Sequence, residues 1–399
     1  MQWSAEMSDR IGDWLGLSNR SCLAEKTKGR PNAMRKTEDL PRICVGVDLH
    51  KLQFTVHAVN EETGEMVLNG VFRTDSQGYK YFCEKLHTIE DETECCIELA
   101  VEATGNARYF KNKMEAEGFG VLVVNTSKFK VITMSTKKTD ANDAATLAFY
   151  LSKDMLPQSH LCDQTSEEIR RMLKTRSILV SSTVKIKNQI HGMLLGYGIE
   201  TKTAQFQSKK KRQELINVLA EHYFSQFTAS SLEVTLNILD DIYAQVKKIE
   251  EQIREMTKEN ETVSLLMTMP GIGFVGATTI ASYIDDIKRF DGDFKRFSSY
   301  LGIIPSVHNS ADKVRMGHIT KRGPQELRTA FVQVAMGIIR QPQNTSEWKL
   351  MKDYQTMKIS KGSGRAIIAL TRKVARIVFA MLNNKEAFNP ELMKKATVA

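Results

Sequence analysis

Four carboxylates stand where predicted secondary-structure elements begin or end. Asp48 ends a first predicted strand and Glu102 ends a later one, while Asp140 and Asp143 open a predicted helix. Asp140 and Asp143 are three residues apart, so they share a helix face with about 5–6 Å between their Cβ atoms. Strand ends and an adjacent helix start can meet at one rim of an α/β sheet, where four carboxylates repel one another unless cations lie between them. The pattern predicts a site for two Mg²⁺ ions that bridge a phosphate, which is chemistry for phosphoryl transfer.

Each of these acids also has a purely structural interpretation. Asp140 could be a helix N-cap, Asp143 a partner of the helix dipole and Glu102 a solvated loop residue. One such acid alone is more readily structural, whereas four at fold-appropriate places favour the metal site. Glu98 is the reserve candidate for Glu102, but from its earlier place on the same strand it points the same way from deeper inside the sheet.

The elements around these acids predict an α/β domain over residues 41–160, after a polar extension over residues 1–40. Three predicted strands are followed by alternating helix and strand, which is an α/β layer pattern, and the order resembles the ribonuclease-H fold. The predicted strands cover residues 43–49, 53–59, 67–72, 95–101 and 120–124, and the predicted helices cover 77–86, 107–117 and a segment from 142 to 151.

A helical arm is predicted over residues 161–263. Its second long helix, 232–257, has a heptad seam formed by Leu239, Ile242, Val246, Ile249, Ile253 and Met256. Its first helix, 166–195, has apolar residues assigned to one side, namely Ile169, Leu173, Val180, Val184, Ile190 and Leu194. Such helices can form an intramolecular hairpin or a dimerisation arm, and the pattern favours the two equally. Lys209–Arg212 forms a basic run between them.

The positive charge of the chain is concentrated in its C-terminal third. The whole chain carries +9, but residues 264–399 have 21 Lys and Arg against 10 Asp and Glu, a net of +11. This region is predicted to be mostly helical, and Arg365, Arg372 and Arg376 form a stripe along its last long helix. A solvated face would explain such a stripe, but its place in the basic third favours contacts with nucleic-acid phosphates.

A glycine turn opens this basic region. The segment Met269-Pro-Gly-Ile-Gly273 resembles a helix-hairpin-helix element, in which glycines bring backbone N–H groups to a DNA phosphate at a helix N-terminus. Gly271 and Gly273 are therefore candidate nucleic-acid contacts, and a plain turn between packed helices is the alternative.

The remaining composition predicts a cytoplasmic protein. The six cysteines have no CxxC spacing, which fits a reducing compartment. Charges interrupt every apolar run before membrane-spanning length, and the first forty residues lack the apolar core of a signal peptide.

Several motifs together resemble one family over residues 42 to about 385. Val-Gly-Val-Asp48, Val-Glu102-Ala-Thr-Gly and Lys-Thr-Asp140-Ala-Asn-Asp143-Ala precede the helical arm and the Met-Pro-Gly-Ile-Gly turn. This order is similar to that of the DEDD transposases of the insertion-sequence one-hundred-ten family and the related Piv-type DNA invertases. The resemblance implies a RuvC-like domain whose four DEDD acids are the carboxylates above.

The resemblance also implies a nucleophilic serine in a C-terminal transposase domain, residues 264–399. In the family it follows a Gly-x-x-Pro motif, here Gly302-Ile-Ile-Pro305, and it aligns with Ser310 because Ser306 is too close to the proline. A serine–phosphate bond would conserve the energy needed to rejoin DNA. Lys321 and Arg322, in the next family motif (Gly317–Gly323), and Arg315 are further candidate nucleic-acid contacts.

The resemblance implies an assembly like that of the family, a tetramer with composite sites that is guided by an RNA from its own element. The resemblance thus implies donor and target double-stranded DNA, a guide (bridge) RNA and a dimer or tetramer as partners, with no membrane. It also implies a bacterial protein that is associated with the nucleoid when active. Two alternatives stay open, an invertase that acts on fixed sites without RNA and a RuvC-like nuclease that uses metal and water alone.

Overall fold

The structure is a computed structural model that describes residues 41–126, 128–129, 139–219, 222, 224–310 and 313–394. Residues 218, 307–310, 313–316 and 344 are described by their backbone alone. The predicted extension over residues 1–40 lies outside the described residues. The chain divides into two compact units, one that ends at Leu161 and one that begins at Cys162.

The first unit is built on a mixed five-stranded sheet in the order β3-β2-β1-β4-β5. Neighbours β1, β2 and β3 are antiparallel, whereas β1, β4 and β5 run parallel. This arrangement is compatible with the expected ribonuclease-H-like domain. The elements are β1 (Arg42–Leu49), β2 (Gln53–Asn60), β3 (Met66–Arg73), α1 (Ser76–Thr93), β4 (Cys96–Glu102), α2 (Ala107–Ala116), β5 (Gly120–Val124) and α3 (Asp140–Leu151).

Helices cover both faces of this sheet, which is why β1 reads as a nearly continuous apolar run. On one face, aromatic residues of α1 and α2 pack around Phe54, including Phe82 and Phe110. On the other face, α3 buries Leu147 and Leu151 against the sheet. The core therefore fixes β1, β4 and α3, the three elements that hold the predicted carboxylates.

The second unit begins with the predicted helical arm. Helices α4 (Gln164–Leu195) and α6 (Gln226–Met256) pack side by side, with a short 3-10 helix (Thr203–Phe206) and α5 (Lys209–Leu219) between them in sequence. Leu239 and Ile253 of the heptad seam are buried against α4, whereas Met256 is exposed. Of the apolar residues assigned to one side of α4, Val180 and Val184 are exposed, and Thr183 is buried between them.

The rest of the second unit consists of helices and one two-stranded hairpin. Its helices pack around a single apolar cluster that includes Phe297, Phe331 and Trp348. The elements are α7 (Glu261–Met267), α8 (Phe274–Ile284), a 3-10 helix (Ile287–Phe290), α9 (Phe294–Tyr300), β6 (Pro305–Ser310), β7 (Lys313–Ile319), α10 (Gln325–Ile339), α11 (Pro342–Thr345), α12 (Lys349–Lys361), α13 (Ser363–Asn384) and α14 (Glu391–Lys394).

None of the helices in the described part of the chain combines the length and the apolar character needed to cross a membrane.

Candidate active site

The acidic cluster is organised by two parallel strands that end side by side. Val47 of β1 pairs with Val101 of β4, so Asp48 and Glu102 each follow a paired residue at the same edge of the sheet. The convergence expected from the sequence is present at these two positions. Beyond Glu102, the Asn106 amide donates to the His50 carbonyl oxygen at 2.9 Å, which ties the loop after β4 to the end of β1.

Helix α3 brings two more carboxylates to this edge. Its N-cap is Thr139, whose hydroxyl accepts from the Asn142 N–H, so Asp140 is not needed as the cap. Asp140 and Asp143 lie in the first turn of the helix, where the helix dipole favours negative charge. Because α3 packs directly on β1, this first turn faces the strand end that carries Asp48.

The approach of α3 to β1 depends on a glycine. A Cβ on Gly46 would lie 1.9 Å from the Ala144 carbonyl oxygen and 2.5 Å from the Ala148 nitrogen, closer than any real contact. Glycine at this position lets the helix backbone rest on the strand. The Val-Gly-Val-Asp motif therefore contributes a packing surface as well as a carboxylate.

The carboxylates of the cluster perturb one another electrostatically. Burial raises the pKa of Asp48, and the charges of Asp140 and Asp143 raise it further, while His50 opposes them. Burial likewise raises the pKa of Glu102, with added repulsion from Asp48 and Asp143. Neighbouring carboxylates thus repel Asp48 and Glu102 at one edge of the sheet, and a bound cation would offset that repulsion.

Three side chains of this edge could hold one metal ion together. Ligand atoms of Asp48, His50 and Asp140 lie within 4.8 Å of one another. The His50 Nε2 is 3.1 Å from Asp48 Oδ2 and 3.4 Å from Asp140 Oδ2. Carboxylate oxygens suit Mg²⁺ or Mn²⁺, and an imidazole nitrogen adds a donor that suits transition metals.

His50 is the member of this cluster that sequence reasoning missed. It lies two residues after Asp48, and alternate residues of an extended chain project to the same side. That spacing could have identified His50 as a neighbour of the Asp48 carboxylate. Glu98, the reserve candidate, is engaged elsewhere, because its carboxylate accepts from the Arg42 guanidinium at 3.1 Å.

The predicted nucleophile lies in a β-hairpin within the domain that the sequence predicts to be mostly helical. Ser310 is the last residue of β6, and its backbone pairs with Lys313 of β7. Arg315, the candidate phosphate clamp, pairs with His308 in the same register. The side chains of Ser310 and Arg315 lie outside the described residues.

Ser306 has a local role at the base of this hairpin. The pairing is irregular between Pro305 and Val307, and the Ser306 hydroxyl lies 2.4 Å from the place that a Cβ on Gly317 would take. Ser306 therefore packs against the opposite strand in space that Gly317 leaves open.

Two glycines close the base of the hairpin by direct backbone contact. Gly302 has φ +67°, and a Cβ there would lie 2.2 Å from the Arg322 carbonyl oxygen. Gly323 has φ +97°, and its Cβ would lie 1.9 Å from the Tyr300 carbonyl oxygen. The Lys321 N–H donates to the Gly302 carbonyl oxygen at 3.0 Å. The Gly-x-x-Pro motif and the Gly317–Gly323 motif thus meet and position the strand that ends at Ser310.

The other candidate nucleic-acid contacts lie in the same unit. Gly271 has φ +89°, and its Cβ would lie 2.9 Å from the Val334 carbonyl oxygen, so close packing against α10 accounts for this glycine. Gly273 is the N-cap of α8. Their phosphate contacts stay a prediction. Arg365, Arg372 and Arg376 are exposed on α13 and line one groove.

Comparison with known families matches both parts of this chain. The model described as the transposase of the IS116/IS110/IS902 family matches residues 263–349, where IS110 is the insertion-sequence one-hundred-ten group. A second transposase model, of the DEDD type from IS110 elements, matches residues 45–199. The second match contains the four carboxylates, and the first contains the glycine turn and Ser310.

Curated relatives match over most of their length. The transposase for insertion sequence element IS1111A of Coxiella burnetii is 26% identical over 352 residues, covering 86% of this chain and 90% of the relative. A probable family 20 transposase of Pseudomonas aeruginosa is 22% identical, covering 87% and 98%. The transposase for insertion sequence element IS1328 of Yersinia enterocolitica is 24% identical, covering 86% and 98%. The chain belongs to the IS110 family of insertion-element transposases, a membership that implies DNA cleavage and rejoining.

Proposed function

We propose that this chain is a transposase that cuts and rejoins DNA through a covalent serine–phosphate intermediate, with divalent metal held by its acidic cluster. The observation that carries the proposal is the meeting of Asp48, Glu102 and the first turn of α3 at one edge of the sheet. Such a meeting of carboxylates in a RuvC-like domain is suited to binding cations and a phosphate.

The donor set fits the proposed metal. Asp48, Glu102, Asp140 and Asp143 would hold two Mg²⁺ ions, with His50 as an additional donor beside Asp48 and Asp140. When bound, the metal supplies Lewis-acid stabilisation of the phosphate oxygens on which negative charge develops. The raised pKa values of Asp48 and Glu102 support this assignment, because a bound cation would offset both the burial and the repulsion that raise them.

The covalent step is assigned to Ser310. Its Oγ forms a bond to phosphorus, the bond from phosphorus to a deoxyribose oxygen breaks, and the serine proton passes in net to that leaving oxygen. The serine–phosphate bond keeps the energy of the phosphodiester, so a second deoxyribose hydroxyl can reverse the step without ATP. Support comes from the rigid base of the hairpin, where Gly302 and Gly323 fix the strand that ends at Ser310.

The proposal includes an RNA guide from the same element and a homo-oligomer, a dimer or tetramer, that acts on donor and target duplexes. Candidate contacts of this chain through glycine N–H groups or arginines address phosphates, which carry no sequence information. Choice of site would then come from base pairing with the RNA. Lys321 and Arg322, beside the hairpin base, are proposed phosphate contacts in the same region.

The nucleophile can be tested by trapping the intermediate. Wild-type protein incubated with nicked or suicide DNA substrates is expected to carry DNA covalently, seen by denaturing electrophoresis with labelled DNA. Ser310→Ala is expected to lose the adduct and all strand exchange, because alanine has no oxygen to attack phosphorus. Ser306→Ala is the matched control and is expected to keep both, since Ser306 packs against Gly317 at the base of the hairpin.

Other results of the same experiment would contradict the assignment. An adduct that persists in Ser310→Ala but disappears in Ser306→Ala would move the nucleophile to the base of the hairpin. Metal-dependent cleavage without an adduct in any variant would instead indicate the simple nuclease, which uses metal and water alone.

A further inference from the structure

A basic groove of about 1210 Å³ lies between the base of the β6–β7 hairpin and helices α12 and α13. Its cationic lining residues are Lys349, Arg365, Arg372, Lys373 and Arg376. The carboxylate among its lining residues, Asp353, is paired with Lys373. The groove thus has a strong excess of positive charge, which is complementary to a polyanion.

The same groove has an apolar floor. The lining includes Phe294, Ile303, Ile319, Ile368 and Leu392. The Arg376 guanidinium lies over the Phe294 ring, 4.8 Å from its centroid, so one cation of the stripe contacts an apolar residue of the lining. Cations alone suffice to bind the outside of a duplex, since its phosphates face solvent. An apolar floor adds affinity only for ligand groups that are desolvated on binding, such as unstacked bases.

The dimensions also favour a strand over a small molecule. Pockets for small ligands measure about 300–1,000 Å³, and this groove exceeds them. Pro305 and Gly317 line it, and Pro305 begins the strand that ends at Ser310. Five residues of strand span roughly 17 Å, so the groove lies within a few nucleotides of the proposed nucleophile.

We propose that this groove binds an unpaired stretch of DNA strand next to the cleaved phosphate, with bases on the apolar floor and phosphates against Arg365, Arg372 and Lys349. The proposal rests on the proposed function for its placement beside Ser310. Cutting and exchanging strands exposes unpaired nucleotides, and a site that holds them would keep the cut end from diffusing away.

Equilibrium binding can test the groove without any cleavage. Fluorescence anisotropy of the full-length chain in EDTA would compare labelled oligothymidine of about 12 nucleotides with a duplex of equal length. Ile368→Ser is expected to weaken binding of the single strand roughly tenfold, because it removes an apolar side chain that a base would cover, and to leave duplex binding unchanged. Ile368 suits this test because it lines the groove and is only partly buried.

A second pair of variants separates the floor from the charges. Arg372→Ala is expected to weaken both ligands and to lower the slope of log affinity against log salt by about one. Arg340→Ala is the matched control, since Arg340 is exposed and is not one of the lining residues of the groove. Photocrosslinking of wild-type protein with a 4-thiothymidine strand is expected to label the peptide around residues 364–377, a readout that no substitution can disturb.

Three results would overturn the proposal. The first is an equal loss of single-strand and duplex binding in Ile368→Ser, and the second is crosslinks confined to peptides outside the groove. The third is binding of oligouridine more than about tenfold tighter than that of oligothymidine, a result that would assign the groove to RNA. Because EDTA removes metal chemistry, failure here leaves the Ser310 adduct as it is. Loss of the adduct in Ser310→Ala, in turn, leaves this binding measurable.

Discussion

At the scale of single residues, the cluster around Asp48 carries a cost in the metal-free protein. Its pKa is raised by burial and by neighbouring carboxylates, so the folded state binds protons more readily than the unfolded state. Stability is therefore lost as the pH rises from the unfolded value of this carboxyl through the raised value, and the penalty is complete above it. A bound cation would remove the penalty, which connects the electrostatics of the fold with metal binding.

This cost predicts the behaviour of Asp48→Asn. In EDTA at neutral pH the variant is expected to have a Tm a few degrees higher than wild type, because it removes one of the mutually repelling charges. The difference should shrink as the pH falls toward the unfolded pKa, and Mg²⁺ should raise the Tm of wild type only. Asp91→Asn, at an exposed position on α1, is the control. A variant less stable than wild type at neutral pH would contradict the interpretation.

At the scale of elements, the site depends on how closely α3 packs against β1. The contact is backbone to backbone at Gly46, so the strand end with Asp48 and the helix start with Asp140 and Asp143 form one unit. The hairpin of Ser310 is held in the same manner, through Gly302 and Gly323. In both places a glycine motif near a candidate catalytic residue fixes the element that carries that residue.

Gly46→Ala tests this dependence. The added methyl group must displace α3, which is expected to destabilise the protein by roughly 1–3 kcal/mol, as for overpacking of a core. It should also abolish the rise in Tm on adding Mg²⁺. Gly70→Ala on β3 is the matched control, since its Cβ would meet the Phe72 ring at an ordinary 3.5 Å. Denaturant titration and thermal unfolding give the two readouts, and an unchanged metal response in Gly46→Ala would refute the role of this contact.

At the scale of the whole molecule, the charge is divided between an N-terminal part of net −2, residues 1–263, and a basic C-terminal third of net +11. A chain whose candidate contacts address phosphates binds nucleic acid without choosing a sequence. A transposase still needs a chosen site, and the proposed guide RNA supplies that choice.

The guide predicts that RNA accompanies the purified protein. After expression with the flanking DNA of its gene, the chain is expected to show a high ratio of absorbance at 260 to 280 nm. RNase treatment should lower the absorbance ratio and abolish recombination. Adding back the same RNA should restore recombination. Expression without the flanking DNA is the control. Full recombination by RNA-free protein on fixed sites would instead support the invertase alternative.

The sequence by itself determined the features that depend on local pattern. Alternating and continuous apolar runs predicted the five strands, and the motif order identified the family before any comparison. Strand ends marked Asp48 and Glu102, because parallel neighbours end at one edge. The arginine stripe of α13 followed from helical periodicity alone.

Contacts between distant residues were decided by the tertiary structure. His50 lies near both Asp48 and Asp140 because α3 packs on β1, which the sequence alone does not show. Glu98 is excluded from the acidic cluster because its carboxylate pairs with Arg42. The hairpin of Ser310 escaped prediction because its strands are short and polar, and pairing between them, not local preference, stabilises them. Val180 and Val184 are exposed for a similar reason: periodicity gives the faces of a helix, but only the partner helix decides which face is buried.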